Sequence, residues 1–431
     1  RTLYRLVFSR LHLLQWTTTE AAQADLDTRL LPTLWRHRAE PIGALLWLVG
    51  LWLAAHGLLM PAPSALALGM LALWALSPLL IWTANRPWSS RRPALKPTDR
   101  TLLEGVARDT WRLFERCVSE QNHHLPPDNL QMSPYEMEAH RTSPTNIGLY
   151  LLSTACARQF GWIGTQDLLT RLEATCATLQ QMERHRGHFL NWYDTLSLQP
   201  LLPRYVSTVD SGNLSVHLLT VAQACTELAL DPHNPSASQQ AVRCSRQRLQ
   251  PHLALLQSNL HQPLQQTAIG HLLETSLPQP CDATAWAALH TLQQQAQAEL
   301  QDLPQARNAT IVNHPITAQD ELRWLLTDHL ATLKSAGLDA AVCGAGTCER
   351  TQQRLQALAT TLEALAWAAD YRFLYHPQRR LLHIGYRLED HQLDTSYYDL
   401  LASESRSTSM LALAKCHLPV PLCAALVLPF F

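Results

Sequence analysis

The sequence lacks an excess of charge of either sign: 34 basic residues stand against 35 acidic ones in 431. No cationic stripe is present to meet a phosphate backbone, which argues against nucleic-acid binding. Glycine is scarce, at 15 residues, and no glycine-rich phosphate loop occurs. The ten cysteines are scattered. Cys343 and Cys348 are separated by four residues, but no second Cys/His pair lies near them at zinc spacing. The cysteines therefore read as free thiols, neither a disulfide scaffold nor a metal site. No serine or cysteine nucleophile constellation stands out. The first residue is Arg1 rather than Met, which suggests a cut or processed N-terminus.

Charge is missing locally as well. IGALLWLVGLWLAAHGLLM (42–60) and SALALGMLALWALSPLLIWT (64–83) contain no Asp, Glu, Lys or Arg. At ~1.5 Å per residue each run matches the ~30 Å hydrocarbon core of a bilayer. Pro61-Ala62-Pro63 joins them and breaks the helix. Arg36 and Arg38 precede the pair; Arg86, Arg91, Arg92 and Lys96 follow it. Basic flanks on both sides predict a transmembrane hairpin over 41–84 with both ends cytoplasmic. Trp47, Trp52, Trp74, Trp82 and Trp88 would anchor it.

From Thr98 the pattern turns helical. Thr98 reads as a cap, with apolar residues at Leu102, Leu103, Val106, Trp111, Leu113, Phe114 and Val118. Similar signals predict helices at 144–160, 165–186, 211–230, 236–260, 284–303, 317–336, 350–370 and 397–414, about nine in all. The segment 371–386 differs, reading as a β-hairpin turned at Pro377. Long helices joined by polar, aromatic-rich loops suggest an all-α fold of the α/α-toroid kind, and nine helices are too few to close one.

Four loops at helix starts combine carboxylates, amides and aromatics: HHLPPDNLQ (123–131), AHRTSPTN (139–146), NWYDT (191–195) with RYVSTVDSGN (204–213), and LDTSYYDLLASESR (393–406). This mixture suits sugars, whose C–H faces stack on aromatic rings and whose hydroxyls bond to Asp, Asn, Arg and His. The candidate binding residues are Asp128, His140, Arg141, Asn146, Trp192, Tyr193, Asp194, Asp210, Asn213, Tyr397, Tyr398, Asp399, Glu404 and Arg406. Glycosidic chemistry needs two carboxyl groups, ~5–5.5 Å apart for retention or ~6.5–9.5 Å for inversion. Asp210, Asp399 and Glu404 are weak candidates, and spacing does not say which would meet. Each residue keeps a plainer reading: Asp210 as a helix cap, Trp192 and Tyr193 as core aromatics, His140 and Arg141 as loop supports.

HRTSPTNIGLYLL, RGHFLNWYDT, RYVSTVDSGNL, FLYHPQRRLLHIGY and SYYDLLASESR resemble the central domain of the cyclic β-1,2-glucan synthases. The resemblance runs from Arg1 to about Lys415. It implies a bacterial inner-membrane, multi-pass protein with its soluble domain in the cytoplasm. Residues 1–40 would be an amphipathic linker after a glycosyltransferase module, 41–84 the hairpin, and 95–415 part of a glucoamylase-like (α/α)6 toroid. The partners implied are a β-1,2-glucan chain, the lipid bilayer, and the transferase and phosphorylase-like modules of the same polypeptide. UDP-glucose and a divalent metal belong to the transferase module, so no cofactor is expected in this stretch. The central domain cyclises the glucan by transglycosylation, and its catalytic pair is expected beyond the C-terminus. CHLPVPLCAALVLPFF (416–431) departs from the family pattern and resembles a shifted reading frame. A stretch like this, taken alone, is expected not to cyclise glucan. The alternatives are a membrane-anchored glucan-binding remnant and a β-glucan hydrolase on the same toroid.

Overall fold

The computed structural model describes residues 30–57, 64–85, 96–131, 137–279, 282–303, 317–342, 345–398 and 404–418. Asp399, most of the N-terminal linker, the Pro61–Pro63 turn and nearly all of the 416–431 tail lie outside these residues. The chain divides into two compact units, Arg1–Pro97 and Thr98–Phe431.

In the first unit the uncharged runs are helical, as Ala39–Gly57, Ala65–Ala75 and Ser77–Asn85. The first two helices touch where Gly43 meets the Trp74 ring: a Cβ on Gly43 would stand 3.1 Å from it. Among the described residues no single helix is long and apolar enough to cross a membrane, so two uninterrupted spans are not found. The second run is instead a pair of helices bent by 51°, which meets the length and composition requirement only jointly. Pro78 explains the bend: it lacks an N–H, and its ring clashes with the carbonyl four residues back.

The second unit is mostly helical, and its described residues form two hydrophobic cores. The first is built around the Thr208–Leu230 helix, which packs on Pro144–Gln159, Ala345–Ala368 and Ser405–Ala414. Leu214, Leu218, Val221 and Cys225 recur at three- to four-residue spacing and are buried against Leu355, Leu358 and Leu362. The second gathers Val242, Leu249, Leu272, Leu289, Leu300, Leu322 and Leu326 from helices between residues 235 and 341. Ala318–Ala341 also packs on Thr165–Gln181. There Gly164 has no side chain to cap the helix start, and Asp339 accepts the Thr165 and Gln166 N–H groups at 2.8 Å each.

Several sequence expectations change. Thr98 lies inside a helix that starts at Pro97, a residue well suited to the first helical position. The single helix expected over 236–260 is Pro235–Leu249 and Leu253–Asn259, interrupted at Pro251. The last helix begins at Ser405, with Glu404 as its N-cap, and does not run from residue 397. The hairpin stands: Tyr375–His376 pairs with Leu381–Leu382. Among the described residues four further small sheets occur, one of them three-stranded, with Gly385–Arg387 between Tyr205–Ser207 and Gln392–Leu393.

Candidate functional site

Three helix starts meet at one rim. Ser143 caps the Pro144–Gln159 helix by accepting the Asn146 N–H, which leaves Thr145 in the first turn. Ser207 caps Thr208–Leu230 by accepting the Asp210 N–H at 3.3 Å. Glu404 precedes Ser405–Ala414. Asp210 is therefore not itself the cap. It stands at the third helical position, where the positive end of the helix dipole favours a carboxylate.

The rim is two hydrogen-bonded groups joined by one guanidinium–indole contact. The Thr145 hydroxyl donates to Asp210 Oδ1 at 2.6 Å. Asn213, one turn further on, donates to Glu404 Oε2 at 2.8 Å and to Thr145 Oγ1 at 3.4 Å. Asn191, oriented to satisfy its neighbours, donates to Asp210 Oδ2 at 3.0 Å and accepts from Trp192 Nε1 at 3.1 Å. Trp192 lies under the Arg141 guanidinium, 4.9 Å from ring centroid to Cζ. Arg141 grips Asp128 Oδ2 through Nε at 3.1 Å and Nη2 at 2.8 Å. Asn146 reaches Asp128 Oδ1 at 3.5 Å. The structure thus brings together Asp128, Arg141, Asn146, Trp192, Asp210, Asn213 and Glu404 from all four sequence loops.

Tyr398 sits beside them. Burial pushes its hydroxyl pKa up, and the Asp210 and Glu404 charges push it further. Its phenol therefore stays protonated and can donate a hydrogen bond. The close approach of the last helix depends on Gly212, where a Cβ would stand 1.8 Å from Thr408 Oγ1.

Other candidates lie elsewhere. Tyr193 is fully buried, its hydroxyl donating to the Glu183 carbonyl at 2.6 Å and accepting the Leu190 N–H at 2.7 Å. It is a core aromatic. Asp194 folds its own turn, taking the Leu196 and Ser197 N–H groups at 2.9 and 2.8 Å. The Ser197 N–H leads the contacts that hold its carboxyl below the usual range. His140 is exposed, 3.8 Å from Glu138. Tyr397 packs on His383, with ring centroids 4.6 Å apart. Arg406 is exposed on the first turn of the last helix.

His217 was not singled out in the sequence, although Asp210, Asn213 and His217 follow the i, i+3, i+7 spacing of one helix face. Its Nδ1 is buried against Gly148, whose added Cβ would lie 2.5 Å away, and has no hydrogen-bond partner among the described residues. Burial pushes its pKa down, opposed by Glu404. A neutral imidazole thus extends the Asp210–Asn213 face.

Chemically the rim offers carboxylates, amides, a threonine hydroxyl, a guanidinium and an indole. Hydroxyls can donate to the first group and accept from the rest, which suits a neutral polyhydroxyl ligand. Among the described residues no group of three or more His, Cys, Asp or Glu is placed to hold a metal ion.

No family model matches the chain. It is 36% identical over 450 aligned positions, 97% of its own length, to the cyclic beta-(1,2)-glucan synthase NdvB of Rhizobium meliloti (strain 1021). The chain spans 15% of that protein's length.

Proposed function

Because the chain belongs with the cyclic β-(1,2)-glucan synthases, we propose that its helical unit holds the glucan during synthesis, at the rim built by Asp128, Arg141, Trp192, Asp210, Asn213, Tyr398 and Glu404. The observation that carries this reading is the meeting of two hydrogen-bonded groups, Asp128 with Arg141 and Trp192 through to Glu404, joined by the Arg141 guanidinium over the Trp192 ring, which gathers sugar-binding residue types from segments far apart in sequence. The helix packing supports its being part of an (α/α)6 toroid, with residues 95–415 as the glucan-handling domain. In this reading Asp210 and Glu404 bind substrate, and the transglycosylating pair belongs to a further part of the intact enzyme. UDP-glucose and its metal act in a transferase module. The rim is tested by titrating linear β-1,2-glucan into the full chain. Trp192→Ala removes the stacking face and is expected to weaken binding about tenfold. Unchanged affinity in a folded variant would place Trp192 among the packing residues.

The 41–84 segment is proposed to anchor the domain in the bacterial inner membrane as a helical hairpin. Its support is the apolar surface of the described helices: Trp47, Trp52, Leu66 and Met70 are 61%, 57%, 75% and 65% exposed. Apolar surface on this scale marks a membrane or protein contact. A reporter fused after Arg100 is expected to be active only in the cytoplasm. Periplasmic activity would refute this topology.

A further inference from the structure

Away from the rim, a cleft of about 440 Å³ opens between the Pro97–Cys117, Pro235–Leu249 and Ala318–Ala341 helices, beside the turn that carries Phe160 and Trp162. Its volume falls within the ~300–1,000 Å³ of small-ligand sites. The floor is ionic. Arg108 and Asp328 are 4% and 2% exposed, and Arg108 Nε donates to Asp328 Oδ1 at 2.6 Å. Arg248 is held by Asp109 at 2.6 Å, and its Nη1 lies 3.9 Å from Asp328 Oδ2. Among the described residues Arg108 Nη1, Arg248 Nη1 and Asp328 Oδ2 are buried and have no hydrogen-bond partner. The wall is aromatic. Phe160, 52% exposed, stacks on Trp162 at 4.8 Å, and the Arg108 guanidinium lies 5.2 Å from the Trp162 ring.

This mixture selects among ligands. An inorganic anion would approach the free Asp328 oxygen and be repelled. An apolar molecule would leave two donors and one acceptor unsatisfied. A sugar meets all three, because its hydroxyl oxygens accept from the guanidinium groups, one hydroxyl donates to Asp328, and its C–H face covers Phe160. We propose that this cleft is a second carbohydrate site, which takes one neutral hexose unit of a glucan chain. The proposal rests on the glucan-handling reading of the chain but shares no residue with the rim. A chain held at two separated points is restrained while it is extended or closed, which raises the effective concentration at each point.

The experiment is calorimetric titration of a linear β-1,2-linked gluco-oligosaccharide into the full chain in detergent, with Phe160→Ala, Arg248→Gln and Trp192→Ala variants. Two classes of site are expected. Phe160→Ala and Arg248→Gln should each weaken one class about tenfold and leave the Trp192-dependent class unchanged. If neither cleft variant changes stoichiometry or affinity while Trp192→Ala weakens all binding, the cleft proposal fails and the rim stands. If Trp192→Ala changes nothing while Phe160→Ala weakens all binding, the cleft stands and the rim fails. Displacement of the sugar from the Phe160-dependent class by millimolar sulfate would show an anion site and overturn the proposal.

Discussion

Asp328→Ala is expected to cost the helical unit about 3–5 kcal/mol, the range found when one member of a buried ion pair is removed. Arg108 is 4% exposed and would keep its charge without its main partner. The nearest substitute is Glu115, whose Oε1 lies 3.6 Å from Arg108 Nη2. Burial already pushes the Glu115 carboxyl pKa up, so it compensates poorly. Thr332, at 3.4 Å, offers only a neutral oxygen. Denaturant unfolding of the full chain, followed by circular dichroism, measures the loss. Converting both partners to apolar residues should recover part of it, because no uncompensated charge then remains. A loss below about 1 kcal/mol would show that the pair contributes little to stability.

Gly212→Leu is expected to separate the last helix from the Thr208–Leu230 helix. An added Cβ meets Thr408 Oγ1 at 1.8 Å, which a rotamer change can relieve. It also meets Thr408 Cα at 2.9 Å, which only backbone movement can relieve. Overpacking of this kind costs about 1–3 kcal/mol. The Asn213–Glu404 bond, 2.8 Å long, spans the same two helices and should be lost with their contact. Two readouts are therefore expected to move together: faster proteolysis within 404–418 and at least tenfold weaker glucan binding. Gly105→Ala is the control, since nothing lies within 4 Å of a Cβ there. That change should be neutral or stabilise by up to about 1 kcal/mol, because alanine is the better helix former. Intact affinity in Gly212→Leu would mean that Glu404 is not needed at the rim.

The sequence signals that held were local ones. Ser143 before Pro144 announced a capped helix, and the Ser143 hydroxyl does accept the Asn146 N–H. Pro377 between two apolar pairs announced the hairpin, and Tyr375 pairs with Leu382. Carboxylates, amides and aromatics before helix starts pointed to a rim because helix N-termini expose N–H groups and gather polar partners. What stayed hidden depends on residues distant in sequence. Arg108 and Asp328 are 220 positions apart, and neither carries a local mark of the other. Tyr205–Ser207 is too short to read as a strand until Gly385–Arg387 pairs with it. Tyr193 and Trp192 are adjacent aromatics of like residue type, and only the fold separates them: one ring is buried and the other reaches the rim. In the second apolar run the 51° bend falls just before Pro78, which uniform hydropathy does not mark.

Glucan held where three helix starts meet would shield the backbone there from solvent. Hydrogen exchange of the full chain with and without linear β-1,2-glucan tests it most directly. Binding should slow exchange in peptides covering 143–146, 208–213 and 404–408, because the ligand covers first-turn N–H groups and fixes their helices. Saturating glucan that leaves these three segments at their unliganded rates would contradict the account.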